Sequence, residues 1–130
     1  MKVEVLTLCK SAKATTKDAD IIGMVETLVS KAYPSPILLN LFYRIRFDAT
    51  EPDSVPIQLH IANEDGETVF EETTIVERKP RCEWDSMAAI GIIPLNRILI
   101  RAPGEYVVSL RAFGQVLSSI PLRYIREEGS

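Results

Sequence analysis

The single histidine, His60, is the only imidazole that the chain could use as a general base for a serine or cysteine nucleophile. Ile57, Leu59 and Ile61 alternate with it, so His60 falls on the opposite, polar side of a predicted strand. Catalytic groups lie more commonly on loops at the end of a scaffold than in the middle of a strand. We therefore interpret His60 as a solvated strand residue and keep a small hydrolase that uses it as the alternative.

Common catalytic and cofactor motifs are absent from the sequence. It contains no Gly-x-Ser-x-Gly elbow, Walker loop, dinucleotide fingerprint or His-Glu-x-x-His pattern. Cys9 and Cys82 have no second cysteine or histidine at metal-ligand spacing, so they predict no zinc site, and a single bridge between them stays open. We therefore expect no enzyme, no catalytic residue, no bound metal and no cofactor.

Acidic residues in three predicted loops form the one group that could bind a metal ion. If the strands run up and down in sequence, alternate loops meet at one end of the molecule. Calcium takes about six to eight oxygen ligands, and that end would offer the carboxylates of Asp18, Asp20, Asp48, Glu51, Asp53, Glu83 and Asp85. Lysines and arginines in the same loops would repel a cation, and turns are commonly acidic. We favour solvated loops and keep a calcium-binding module as the alternative.

Trp84, the only tryptophan, follows Pro80-Arg81-Cys82 and could serve as a platform for a sugar ring. A lone tryptophan is more commonly a buried anchor under a loop. We favour the anchor, and carbohydrate binding is part of the same alternative as calcium binding.

The composition is that of an ordinary globular domain, with 46% hydrophobic residues in 130. Fifteen Lys and Arg residues oppose 18 Asp and Glu residues, a net charge of −3, so nucleic acid is not an expected partner. Apolar runs are too short for a membrane helix of about 20 residues. Glu4 and Lys10 interrupt the N-terminal apolar stretch, so we expect no signal peptide and a cytoplasmic protein with reduced thiols.

Period-two alternation predicts strands along most of the chain. It is clearest over residues 37–47 and continues over 57–62. Asn63-Glu64-Asp65-Gly66 matches a type I turn closed by a left-handed glycine, which predicts a hairpin with a strand at 67–76. A second hairpin is predicted around Phe113-Gly114-Gln115, and Pro121 indicates that its last strand is an edge or carries a bulge.

The remaining predicted strands cover residues 2–9, 23–29 and 87–100, with Pro94 dividing the last. Residues 10–20 and 49–55 are predicted loops, and a helix over 20–31 is the less favoured alternative to a strand. Tyr106 follows Pro103-Gly104-Glu105, which resembles the tyrosine corner of immunoglobulin-like sandwiches. About eight strands predict an all-β fold, an antiparallel sandwich of immunoglobulin-like or C2-like type, in a single domain over residues 1–130.

Charge is divided unevenly along the chain. Residues 64–85 carry eight acidic and three basic residues, whereas residues 97–126 carry five arginines and the single acid Glu105. Opposed patches of this kind could steer a partner or a second copy, with the C-terminal edge strand as the docking site. Pairing of the two segments within one molecule is the reading we favour.

A set of strand and turn signatures lies in order along most of the chain. It consists of Val5 through Cys9, Ile22-Gly23-Met24-Val25, Leu41, Arg44 to Phe47, Asp65-Gly66, Pro103-Gly104-Glu105-Tyr106, Leu110 and Pro121-Leu122. In this order it resembles a family of small bacterial single-domain β-sandwich proteins of unknown function. The resemblance implies a stand-alone sandwich from a bacterium or phage, with no catalytic residue to carry over.

The absence of catalytic motifs and the presence of edge and charge features together favour a non-catalytic sandwich. We expect it to act through protein–protein contacts or as a homo-oligomer, with no nucleic acid or membrane as partner. A calcium- or carbohydrate-binding module is the alternative.

The turn at Gly66 gives a first test. Gly66→Val should destabilise the protein by about 1 kcal/mol or more, because a β-branched residue resists a positive φ. Thermal unfolding measures this, and a melting temperature no lower than that of the wild type would show that the turn is misassigned.

Overall fold

Strands are the regular elements of the computed structural model, which describes residues 1–15, 18–77 and 88–127. Within those ranges no helix is long and apolar enough to span a membrane. Eleven strands are present in the described residues: β1 (Lys2–Ala14), β2 (Ala19–Met24), β3 (Thr27–Ser30), β4 (Ser35–Pro36), β5 (Asn40–Arg46), β6 (Ser54–Asn63), β7 (Thr68–Glu77), β8 (Ala88–Pro94), β9 (Leu99–Ile100), β10 (Gly104–Ala112) and β11 (Gln115–Arg126).

Two sheets form the predicted sandwich. The four-stranded sheet has the order β2-β1-β5-β8, the five-stranded sheet has the order β3-β11-β10-β6-β7, and β4 pairs with β9. All pairings are antiparallel except that of β3 with β11. The all-β prediction is confirmed. The count exceeds eight because the segment predicted over 23–29 is divided between β2 and β3, β9 is a separate part of the segment predicted over 87–100, and the two-residue strand β4 precedes the strand predicted over 37–47.

The core lies between the inner faces of the two sheets. The alternating apolar set predicted over residues 37–47 is fully part of it, although β5 begins only at Asn40. The preceding residues instead bond to the β8–β9 segment, where Ile37 N–H donates to Ile98 O and Leu95 N–H donates to Leu39 O, both at 3.0 Å. The opposite sheet contributes Ile57, Leu59, Ile61, Val108, Leu110, Leu122 and Tyr124.

The first predicted hairpin is confirmed. Gly66 has a φ of +82° and its N–H donates to Asn63 O at 3.0 Å. The side-chain oxygen of Asn63 accepts from the N–H groups of Asp65 and Glu67, at 3.0 and 2.9 Å. The turn therefore satisfies its own backbone groups, and the acidic residues in it need no ligand.

The second hairpin is also confirmed, with a two-residue turn in which Phe113 and Gly114 have φ values of +54° and +73°. Positive φ at both positions is the type I′ geometry that matches the twist of paired strands. A bulge places Leu117 as an extra residue, since Leu110 pairs with Ser118 and Arg111 with Val116. Val116, which lies between the turn and the bulge, is 54% exposed.

Two predictions for the N-terminal third need correction. Residues 10–20 are not a loop, because β1 continues to Ala14 and pairs with β2, which begins at Ala19. The predicted strand over 23–29 is broken at Val25 and Glu26, where the chain passes from one sheet to the other. The preference for strand over helix in this segment is confirmed.

Gly91 lies where the side chain of Tyr43 crosses β8. The two residues are register partners, and a Cβ added to Gly91 would lie 2.1 Å from both Cζ and the hydroxyl oxygen of Tyr43. Tyr43 itself is buried in the core, so its ring has little room to move. The position therefore requires glycine because of close approach.

Gly91→Ala should lower the free energy of unfolding by about 1 to 3 kcal/mol, since the methyl group overpacks the core against Tyr43. Urea unfolding measures the change. In a double-mutant cycle the same substitution should cost less in a Tyr43→Leu background. Equal costs in the two backgrounds would contradict the proposed contact.

Candidate functional site

His60 lies on the outer face of the five-stranded sheet, as predicted, but it is not solvated. It is only 6% exposed, and its register partners are Ser109 on β10 and Glu71 on β7. Its Nε2 lies 2.9 Å from Thr68 Oγ1. His60 lies on a central strand, so residues of both adjacent strands cover it. Alternation in the sequence does not show which strand is central.

The Thr68 hydroxyl is the group within hydrogen-bond distance of His60, and in the described residues no carboxylate hydrogen-bonds to the imidazole to orient it as a base. Ser109, its neighbour across the sheet, shares a hydrogen bond of 2.9 Å with the hydroxyl of Ser119. Thr68 lines the larger of the two cavities described below, whereas His60 and Ser109 line neither. The hydrolase alternative therefore rests on a single histidine–hydroxyl contact without an orienting group.

The predicted acidic cluster does not form, because β1 separates its members. Asp18 precedes β2 and Asp20 lies in its first residues, beside one end of β1, whereas Asp48 and Glu51 follow β5, whose last residues pair with the other end of β1. The prediction assumed simple up-and-down order, but β2 and β5 both run antiparallel to β1, on its two sides. Glu83 and Asp85 lie outside the described residues.

The described acidic residues also have partners of their own. The amino group of Met1 donates to Asp48 Oδ2 at 2.8 Å and lies 3.0 Å from Glu51 Oε2. Asp18 Oδ1 accepts from Thr15 Oγ1 at 2.8 Å. Across the ranges 1–15, 18–77 and 88–127 no three His, Cys, Asp or Glu residues cluster as metal ligands.

Of the two cysteines, Cys9 is a buried free thiol whose Sγ donates to Asn40 O at 3.6 Å. Burial raises the pKa of this thiol, which disfavours the reactive thiolate. Cys82 lies outside the described residues, as does Trp84, so neither the bridge nor the sugar platform can be placed.

The opposed charge segments meet within the described part of the molecule at one ion pair, between Arg97 and Glu72. Arg123 lies 3.9 Å from Glu105, but both residues belong to the arginine-rich segment. The Arg97–Glu72 pair agrees with intramolecular pairing, the alternative we favoured. The prediction that the C-terminal strand is a free docking edge is wrong over Arg123–Arg126, because β3 pairs with these residues. The rest of the outer side of β11 is an edge.

Tyr106 forms the predicted tyrosine corner, with its hydroxyl donating to Ala102 O at 2.5 Å. Its ring packs edge-on against Tyr124, with centroids 6.3 Å apart, and Tyr33 packs on the other side of Tyr124 at 6.2 Å. The hydroxyl of Tyr124 donates to Pro36 O at 3.1 Å. The three tyrosines therefore act in structure, joining the β10–β11 hairpin to the segment before β5.

Two cavities lie beside β7. The smaller, of about 220 Å³, is between β7 and β8, the larger, of about 490 Å³, is between β7 and residues 97–102, and Arg97 lines both. The guanidinium of Arg97 stacks on the ring of Phe70, 5.8 Å from its centroid, while pairing with Glu72 on the same strand. Arg97 thus connects the β8–β9 segment to β7 at one point, and sequence reasoning gave no signal for this link.

The free side of β8, here called the β8 edge, carries no charge. Its seven residues read Ala-Ala-Ile-Gly-Ile-Ile-Pro, and β5 is their only neighbour in the described part of the sheet. The other exposed edges differ. β2 contains Asp20, β7 contains three glutamates and β3 has only four residues, and the part of β11 that β3 leaves uncovered is uncharged but is interrupted by the bulge at Leu117 and by Pro121. Short or charged edges hinder pairing with another chain, and a long uncharged edge permits it.

The outer face beside the β8 edge is also partly apolar. Phe42 is buried there, and Val5 and Ile90 are exposed. Farther along, a bulge at Glu4 places its carboxylate between Arg44 Nε and Arg46 Nε, at 3.0 and 3.1 Å. The hydrogen bond from Arg46, followed by that from Arg44, lowers the pKa of Glu4.

Comparison with known proteins gives two results: a family of unknown function, and a structure with a similar fold. A model described as a family of unknown function, DUF6941, matches residues 4–125. No curated protein matches significantly. An immunoglobulin-like protein from Pseudomonas aeruginosa has a similar structure, with a TM-score of 0.50, 8% identity and 95% of each chain covered. At this identity the likeness shows the fold alone, an immunoglobulin-like sandwich.

Burial raises the pKa of Tyr124 to about 12, which gives a test of the tyrosine cluster. The unfolded phenol ionises near pH 10, so its contribution to stability is complete below about pH 10 and is lost as the pH rises toward 12. The free energy of unfolding should therefore fall over this range, and less steeply in Tyr124→Phe. Identical pH dependence in the two proteins would contradict the assignment.

Proposed function

The chain belongs to DUF6941, a family of unknown function, and we propose that it is a non-catalytic immunoglobulin-like sandwich that acts through protein contact, as a homo-oligomer. The family is one of unknown function and the structural likeness shows only a fold, so the proposal rests on the surface of the molecule. A bacterial source and a cytoplasmic location stay predictions from the sequence.

The β8 edge is the observation that carries this proposal. A strand with unpaired backbone groups is a template for another chain, and proteins that stay monomeric commonly protect such edges with charges. Among the described edges, β2 and β7 carry charges and the uncovered part of β11 carries a bulge and Pro121, whereas β8 is uncharged and pairs with β5 in unbroken register. An uncharged edge on an otherwise protected molecule supports a surface that is used for association.

The polar side chains support a non-catalytic role. His60, Ser109, Glu72 and Asp48, the described groups closest to a catalytic pattern, each have a partner that stabilises the fold. An alternative function as a calcium module has no comparable support, because Asp18 and Asp20 lie at the opposite end of β1 from Asp48 and Glu51.

Size-exclusion chromatography with light scattering tests self-association. We expect a mass above the 14.6 kDa of one chain, rising with protein concentration and retained in high salt, because apolar and backbone contacts are not screened. A mass of one chain at every concentration up to about 1 mM, with or without salt, would overturn the proposal.

A further inference from the structure

Hydrogen bonding within the four-stranded sheet determines which backbone groups point out of the β8 edge. Leu95 N–H donates to Leu39 O, and these residues continue the register of β5 with β8. Hydrogen-bonded pairs alternate with non-bonded pairs along an antiparallel ladder. Residues 93, 91 and 89 therefore bond to β5, whereas Ile92, Ile90 and Ala88 direct their N–H and C=O groups away from it.

Pro94 fits this alternation. It is the register partner of Asn40, in a non-bonded position, where the missing N–H breaks no hydrogen bond to β5. The smaller cavity lies against Ile92, Ile93 and Pro94, with β7 on its far side, so open space adjoins this end of the edge. The outward groups of β8 are thus accessible in the described part of the chain.

We propose that the β8 edge pairs antiparallel with the β8 edge of a second copy, about a two-fold axis at Gly91. This deepens the proposed function and rests on it. The two four-stranded sheets would join into one sheet of eight strands. Each copy uses the same edge, and this pairing leaves neither β8 edge free, so the assembly closes at two copies.

The register follows from the outward groups. With the axis at Gly91, Ile90 lies opposite Ile92 of the second copy and exchanges two hydrogen bonds with it, and the symmetric pair does the same. Ala88 lies opposite Pro94, which accepts one bond and donates none. About six hydrogen bonds result. An axis at residue 90 also allows about six but leaves Pro94 opposite no residue of β8, and an axis at residue 92 allows about four.

Charge favours a second copy as the occupant. No charged residue lies on β8, so the paired strands bring no like charges together. The nearest arginine on the neighbouring strand, Arg44, is paired with Glu4. Arg44 residues of the two copies would be three strand spacings apart, about 14 Å, which exceeds the screening length in physiological salt.

Lysine substitution at one outward residue tests the pairing, with a matched control on the other sheet. Ile90→Lys places a charge beside the axis, and Ile75→Lys places the same charge on the outer face of edge strand β7, where Ile75 is 58% exposed. We expect Ile90→Lys to weaken association about tenfold or more. Ile75→Lys should associate as the wild type does, and both should retain the wild-type circular dichroism spectrum.

Hydrogen exchange on the wild type gives a second measurement that needs no variant. The Ile90 and Ile92 amides should exchange more slowly as concentration rises, because pairing protects outward N–H groups that are free in one chain. The Gly91 amide, which bonds to β5, should be protected at all concentrations.

The outcomes separate this inference from the proposed function. Two copies that dissociate in Ile90→Lys, with concentration-dependent protection at Ile90 and Ile92, would support both. An associated wild type in which Ile75→Lys dissociates and Ile90→Lys does not, or in which these two amides stay unprotected, would overturn the pairing alone. Growth beyond two copies would also overturn it, and a monomeric wild type would overturn both.

Discussion

Burial of one face of each sheet against the other is the constraint on which the structure depends. The inner face of β5 is fully used, with Leu41 and Ile45 completely buried and Tyr43 nearly so. Hydrophobic stabilisation grows with the apolar area removed from water, so a strand buried along its whole inner face is held firmly in register. The register in turn imposes glycine opposite Tyr43, since β8 has to pass directly beside its ring.

Because the inner faces of the two sheets are buried against each other, a function has to use the outer faces or the edges. The five-stranded sheet uses its outer face for an internal polar row that includes His60 and Ser109, both buried. Edges are treated differently from one another: β3 covers the end of β11, glutamates mark β7, and β8 is uncharged. Unpaired N–H and C=O groups at a sheet edge can form hydrogen bonds with another chain. The edges of this molecule therefore differ in how readily they would pair with one.

Association through a sheet edge would also suit this small sandwich. The cavities beside β7 are lined mainly by apolar residues, with Arg97 already engaged by Glu72 and Phe70. Main-chain pairing needs no pocket, because the backbone itself supplies the donors and acceptors. Main-chain pairing is consistent with this chain, in which most described polar side chains near the core already have hydrogen-bond partners within the fold.

Alternation and turn chemistry were sufficient to determine the fold class, the apolar face of residues 37–47, the hairpin at Gly66 and the tyrosine corner, because each depends on neighbours a few residues away. The burial of His60, the strand formed by residues 10–14, the bulges at Glu4 and Leu117 and the separation of Asp18 from Asp48 were decided by tertiary structure. All of these depend on which strand lies beside which, and that choice is made between segments far apart in the chain. The candidate site has the same origin: the uncharged run of β8 can be read from the sequence, but only the sheet order makes it an edge.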